Sequence, residues 1–183
     1  MKRHSAAAIR RARGAGFVLG AIACALVLDA PAAFGQCFLE YDIQASPAVT
    51  NSPGTSQATI RGTFDCGVAS GTVCASGTSV GSCAESHFEG EAVSCDGVCT
   101  PTLGGGVSCT GTALWHGDIT GDCIGPACAS EGTGISDLYG PSTTTGAAVL
   151  DPADLEQSVV DCAGAGVSQA HYYGASSIPV PAP

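Results

Sequence analysis

The sequence predicts an all-β fold, a mainly antiparallel sandwich or barrel, stapled by disulfides and carrying one short C-terminal α-helix. Three observations predict it. Apolar and polar residues alternate with a period of two through much of the chain, clusters of Gly, Pro, Ser and Asp interrupt the alternation at short intervals, and ten cysteines follow a leader-like N-terminus. Period-two alternation puts one face of a strand against a core and the other in water. Short strands separated by regular turn signals favour a sandwich or a barrel.

The elements follow in chain order. Residues 1–35 read as an export signal: Lys2, Arg3, Arg10, Arg11 and Arg13 form a positive stretch, Gly16 to Leu28 is apolar, and Ala33-Phe34-Gly35 places small residues for cleavage before Gln36. The apolar stretch is too short to span a ~30 Å hydrocarbon core as a helix. In the first strand Leu39, Tyr41 and Ile43 face one way and Glu40, Asp42 and Gln44 the other. Ala58, Ile60, Gly62, Phe64 and Cys66 alternate with Thr59, Arg61, Thr63 and Asp65, and Val107, Cys109, Gly111, Ala113 and Trp115 alternate with Ser108, Thr110, Thr112 and Leu114. Turns are expected at Ser46-Pro47, Asn51 to Thr55, Gly67 to Gly71, Gly104-Gly105-Gly106 and Gly140-Pro141. Asp151 as N-cap, Pro152 at the first helical position, Asp154 in the first turn and Gly164 as a stop predict a helix over 152–163. Its apolar side carries Leu155, Val159 and Cys162, the last tying the helix to the sheet. The chain is thus expected to comprise a signal peptide (1–35), a single disulfide-rich β domain (36–176) and a Pro-rich C-terminal tail (177–183).

Export gives the cysteines their meaning. Cys37, Cys66, Cys74, Cys83, Cys95, Cys99, Cys109, Cys123, Cys128 and Cys162 are an even set, and in an oxidising compartment an even set reads as a disulfide framework. Zinc sites pair ligands as C-x₂-C, a spacing that does not occur here. Gly125-Pro126 can turn the chain back between Cys123 and Cys128, which makes them the expected local bridge. Aromatic residues are few, so the core rests on small aliphatic side chains and cystine.

Five of the six basic residues and one of the 16 acids, Asp29, lie in the leader, which leaves Arg61 alone against 15 carboxylates. Such a surface repels nucleic acid and anionic lipid, so neither nucleic acid nor a membrane is an expected partner once the leader is gone.

Three stretches bear on chemistry. Gly77-Thr78-Ser79-Val80-Gly81 matches the G-x-S-x-G pattern, and His171 lies downstream of it, which resembles the Ser–acid–His order of α/β-hydrolases. The residues before Ser79 do not form a buried apolar run and those after it do not start a helix, both of which that turn requires. His87, Glu89 and Glu91 would share one face of a strand, where they could meet a metal. Gly117-Asp118-Ile119-Thr120-Gly121-Asp122 resembles the opening of dockerin-type calcium repeats, in which oxygen ligands fall at alternate positions of a loop. Asp118, Thr120 and Asp122 fit the first three of those positions, while Cys123 replaces the turn glycine and Ala129 stands where the last acid belongs.

No residue set is organised for catalysis. The expectation is an exported, acidic, disulfide-rich domain with a binding or structural role outside the cytoplasm, toward an unidentified extracellular partner or surface and without a resident cofactor. The alternatives are a small secreted serine hydrolase using Ser79 and His171, and a small-ligand or calcium-binding module. An apolar cavity between the sheets would mark a small-ligand carrier.

Overall fold

The alternation closes on itself. In the computed structural model, which describes residues 34–179, eight long strands pair antiparallel around a closed barrel. They are β1 (Phe34–Val49), β2 (Gly54–Asp65), β3 (Ser70–Gly81), β4 (Glu85–Cys95), β7 (Ala113–Ile124), β8 (Ala127–Ser136), β9 (Gly140–Leu150) and β10 (Val167–Pro179). Each strand pairs with its neighbour in chain order, and β10 returns to pair with β1. Two insertions interrupt the meander. The hairpin of β5 (Cys99–Pro101) and β6 (Val107–Cys109) lies between β4 and β7, and helix α1 (Pro152–Ala163) lies between β9 and β10. No helix among the described residues is long and apolar enough to cross a membrane.

Eight strands leave an interior just wide enough for side chains or for one small ligand. The two ends of this barrel use that space differently. At the end carrying the β2–β3 and β8–β9 turns, Phe64, Leu114 and Ile178 pack with Cys37 into a plug. Above the plug Trp115 fills the cross-section among Ala75, Ala92, Ile60, Phe88 and Ile119. A register slip between Ser94 and Cys95 in the β4–β7 ladder brings both Leu114 and Trp115 into the interior. Gly132 makes room for the indole: a Cβ there would stand 2.7 Å from Thr144 Oγ1 and 3.0 Å from the Trp115 ring. At the opposite end α1 lies beside the mouth.

The helix has the predicted bounds. Asp151 is its N-cap, with a carboxylate oxygen accepting from the Ala153 N–H at 2.8 Å. Asp154, one turn in, accepts from the His171 N–H at 3.1 Å and so fastens the helix start to β10. Cys162 is its one buried residue and is bonded to Cys83 in the β3–β4 turn. Asp151→Ala should therefore lower stability by about 0.5–2 kcal/mol, read as a fall in denaturation midpoint at unchanged slope.

Several expectations are corrected. The run Val107 to Trp115 is two strands: β6 ends at Cys109, and β7 begins at Ala113. Gly111 lies against Gly97, where a Cβ would come within 2.6 Å of backbone, so the chain folds over instead of running straight. Residues 177–179, expected in a C-terminal tail, belong to β10: Ser177, Ile178 and Pro179 pair with Gln36, Gly35 and Phe34, and Ile178 is buried in the plug. Residues 180–183, and residues 1–33 of the expected leader, lie outside the described residues.

Of the ten cysteines eight are bonded, as Cys37–Cys66, Cys83–Cys162, Cys95–Cys109 and Cys123–Cys128. The last is the expected local bridge. Cys74 and Cys99 depart from the all-bonded expectation: they are buried thiols beneath the β5–β6 hairpin, packed in one cluster. Four disulfides are consistent with an oxidising, extracellular setting.

Candidate functional site

The upper half of the barrel encloses a cavity of about 530 Å³. Its floor is the apolar layer around Trp115, with Ile60, Ala75, Phe88 and Ile119 facing upward. Its wall on the β9–β10–β1 side is Ala148, Leu150, Ala170, Tyr172, Tyr41 and Ile43. At the rim α1 contributes Leu155, Ser158 and Val159, and Asn51 and the Gly125-Pro126 turn also line the opening. Leu155 and Val159, 41% and 64% exposed, line the mouth without being covered. The apolar stripe of the helix therefore belongs to the opening and not to a packed core.

Small residues create the space. On the inward parity of β7, β8 and β9 stand Gly121, Ser130, Gly146 and Ala148. Larger side chains at these positions would fill the barrel as Phe64, Leu114 and Trp115 fill its lower end. The size and apolar lining match small-molecule sites in general.

The electrostatics of the cavity are defined by what is kept out of it. Among the described residues no Asp, Glu, His, Lys or Arg lines it. Its polar side chains are neutral, among them the phenols of Tyr41 and Tyr172, the hydroxyls of Ser79, Ser86 and Ser130 and the amides of Asn51 and Gln169. Tyr41 and Tyr172 face each other across the β1–β10 ladder and stack at 5.6 Å between ring centroids, 10° from parallel. Burial pushes both phenols above the ordinary tyrosine range, so they stay protonated and uncharged at any physiological pH.

The charged residues are on the outer face. His87, Glu89 and Glu91 do share one face of β4, and directly across from them on β7 stand Asp122, Thr120 and Asp118. Two separate sequence candidates thus meet on one outer surface. The His87 ring is held between Asp122 (2.7 Å) and Glu89 (3.2 Å). Asp118, Thr120 and Asp122 lie in β7 and not in the loop expected of them. They are alternate residues of a continuous strand, because Cys123 supplies no turn and pairs across the β7–β8 hairpin instead. Alternate strand residues point in parallel and do not converge as the ligands of a loop do. Among the described residues no group of three His, Cys, Asp or Glu side chains is placed to hold a metal ion.

Ser79 and His171 are not brought together. Ser79 is in the middle of a ladder pairing, opposite Ser56 and Phe88, and lines the cavity. His171 is on the outer face of β10, with Asp42 at 2.8 Å and Glu40 at 3.3 Å. The barrel wall separates them, and no helix follows Ser79.

No protein family, curated protein or solved structure matches this chain. The site is therefore read from its own chemistry.

The two outer histidines give a pH prediction. Hydrogen bonds to Asp122 and then Glu89 raise the pKa of His87, and the bond to Asp42 raises that of His171. A histidine whose folded pKa exceeds its unfolded value adds stability that is complete below the unfolded value, about 6.5, and is lost as pH rises through the folded value. The thermal midpoint should fall as the pH rises above about 6.5. The fall should shrink in a His87→Gln/His171→Gln variant, as followed by calorimetry across that range.

The cavity itself was missed at the sequence level. The available signal was the run of Gly, Ser and Ala on one parity of three successive strands.

Proposed function

We propose that the protein is an exported binding domain that holds one uncharged, largely apolar small molecule inside the barrel. The observation that carries this reading is the cavity of about 530 Å³, open beside α1 and free of charged side chains in a chain whose acids all lie elsewhere. A pocket of this size takes a small-metabolite-sized ligand. Burying a charge where nothing can pair with it is costly, so an ionised ligand is disfavoured by its own desolvation. The phenols and serines can orient a neutral polar end such as a hydroxyl or carbonyl. The leader at residues 1–35 and the disulfides support action outside the cytoplasm.

Trp115 is the sole tryptophan and lies directly under the cavity floor, so it reports on occupancy. Titration with a neutral apolar dye such as Nile red should change Trp115 emission and blue-shift the dye, saturating at one dye per chain. Because no charge is involved, added salt should leave the affinity unchanged. A long-chain alcohol should displace the dye, and the corresponding carboxylate should do so at least tenfold less well. Absence of saturable binding, or equal displacement by the carboxylate, would overturn the proposal.

A further inference from the structure

A second chemical cluster occupies the outer face of the wall, under the β5–β6 hairpin. Cys74 lies on β3, and directly across the β2–β3 ladder from it stands Arg61, the sole Lys or Arg among the described residues. Cys99 opens β5 and packs with Cys74, Val93 and Cys95. Thr72, one outward position before Cys74, locks the hairpin down: its hydroxyl accepts from the Cys99 N–H at 3.1 Å and donates to the Gly97 carbonyl at 2.6 Å. Cys74 and Cys99 are 0% and 1% exposed. In a chain with eight other cysteines bonded, these two thiols face each other with a guanidinium beside them.

We propose that Cys74 and Cys99 are the site of a fifth disulfide, closed by thiol–disulfide exchange with a small-molecule or protein disulfide before the hairpin seals. Cys99, on the β5–β6 hairpin, attacks first. Its thiolate displaces one sulfur of the incoming disulfide, which leaves as a thiolate and takes up a proton. Cys99 is then joined to the second sulfur. Docking of the hairpin brings this mixed disulfide against Cys74, whose thiolate attacks Cys99 Sγ and expels the remaining half. Two cysteines lose two protons and two electrons, and the incoming disulfide becomes two thiols.

The docked surroundings suit the closing step. Thiolates form where a cation or hydrogen-bond donors stabilise them. With the hairpin docked, the neighbouring Cys74 thiol, then Thr72 and the Arg61 charge, lower the Cys99 pKa. The same guanidinium favours the Cys74 thiolate, while the bond to Cys99 and burial oppose it. Once Cys99 is in a mixed disulfide, its competition for the proton ends and Arg61 remains as the stabilising charge. The pairing is also the one the geometry selects: Cys95 is already bonded to Cys109, the cross-strand neighbour of Cys99.

The exported protein, denatured without reduction, alkylated and digested, tests this by mass mapping. The expected result is one peptide pair joined through Cys74 and Cys99, with neither alkylated. Alkylation of both, or linkage of either to Cys95 or Cys109, would overturn the proposal. During refolding of the reduced protein with glutathione disulfide, Cys74→Ala should accumulate glutathione on Cys99, while Cys99→Ala should carry several-fold less on Cys74; the opposite pattern would overturn the order of attack. Arg61→Gln should prolong the lifetime of the Cys99 mixed disulfide severalfold at pH 7, and closure at the rate of the unsubstituted protein would remove Arg61 from the mechanism.

Discussion

Reduction of the folded protein at 25 °C, without denaturant, should abolish its thermal transition. The observed bridges close chain separations of 29, 79, 14 and 5 residues. The chain-entropy relation assigns roughly 3 kcal/mol to a 15-residue loop and more to longer ones, so the set together is worth on the order of 10 kcal/mol. A domain of this size has a net stability of about 5–15 kcal/mol. The apolar interior offers little in reserve, because the upper part of the barrel is cavity and the large buried side chains are few: Phe64, Leu114, Trp115 and Ile178 toward one end, and Leu150 and Tyr172 in the cavity wall. Calorimetry and far-UV circular dichroism before and after reduction decide the matter. A transition that survives would mean that the closed ladder and its plug suffice. Among single bridges, opening Cys83–Cys162 should cost most, since it spans the longest separation and frees α1.

Gly121→Leu should remove ligand binding, by about 100-fold or more, at little cost in stability. Gly121 lines the cavity, its backbone is not left-handed, and an added Cβ would meet Ala129 O at 3.5 Å and Ser130 Cβ at 3.8 Å, both ordinary contacts. The rest of the leucine side chain has only the cavity to enter, where it replaces ligand and gains burial of its own. Dye titration and the thermal midpoint, measured on the same sample, separate the two effects. Gly132→Leu is the contrast: its Cβ has no room beside Thr144 and Trp115, so that variant should lose the fold itself. Binding by Gly121→Leu at unchanged affinity would place the ligand elsewhere.

What the sequence made legible follows from which forces are local. The bounds of α1 were readable because capping is a matter of four or five adjacent residues, Asp151 to Asp154 and Gly164. The parity of Leu39, Tyr41 and Ile43 against Glu40 and Asp42 was readable because a strand has only two faces. The choice between sandwich and barrel depends on β10 returning to β1, a contact more than a hundred residues distant in the chain, and no local signal carries it. The same holds for the site. His87 and Asp122 are far apart in sequence and gave two unrelated readings, a metal face and a calcium loop, until the β4–β7 ladder set them side by side. The cavity depended on counting what inward positions lack, and small residues on one parity read locally as turns or weak strands. Cys123–Cys128 was found because its turn is local, whereas the long-range partner of Cys162 was not.

The division between a neutral chamber and an outer face that carries the acids of β1, β4 and β7 has an evolutionary consequence. A substitution on one parity leaves the other untouched, so the two faces can drift independently. Exchanging Ser79, Ser130 or Ala148 would redraw the shape of the chamber without altering a single surface carboxylate, and exchanging Glu89, Asp118 or Asp122 would retune the outside without disturbing the chamber. Descendants of this barrel could therefore diverge in what they hold while keeping the same outward character, or keep their cargo while moving to a different ionic environment.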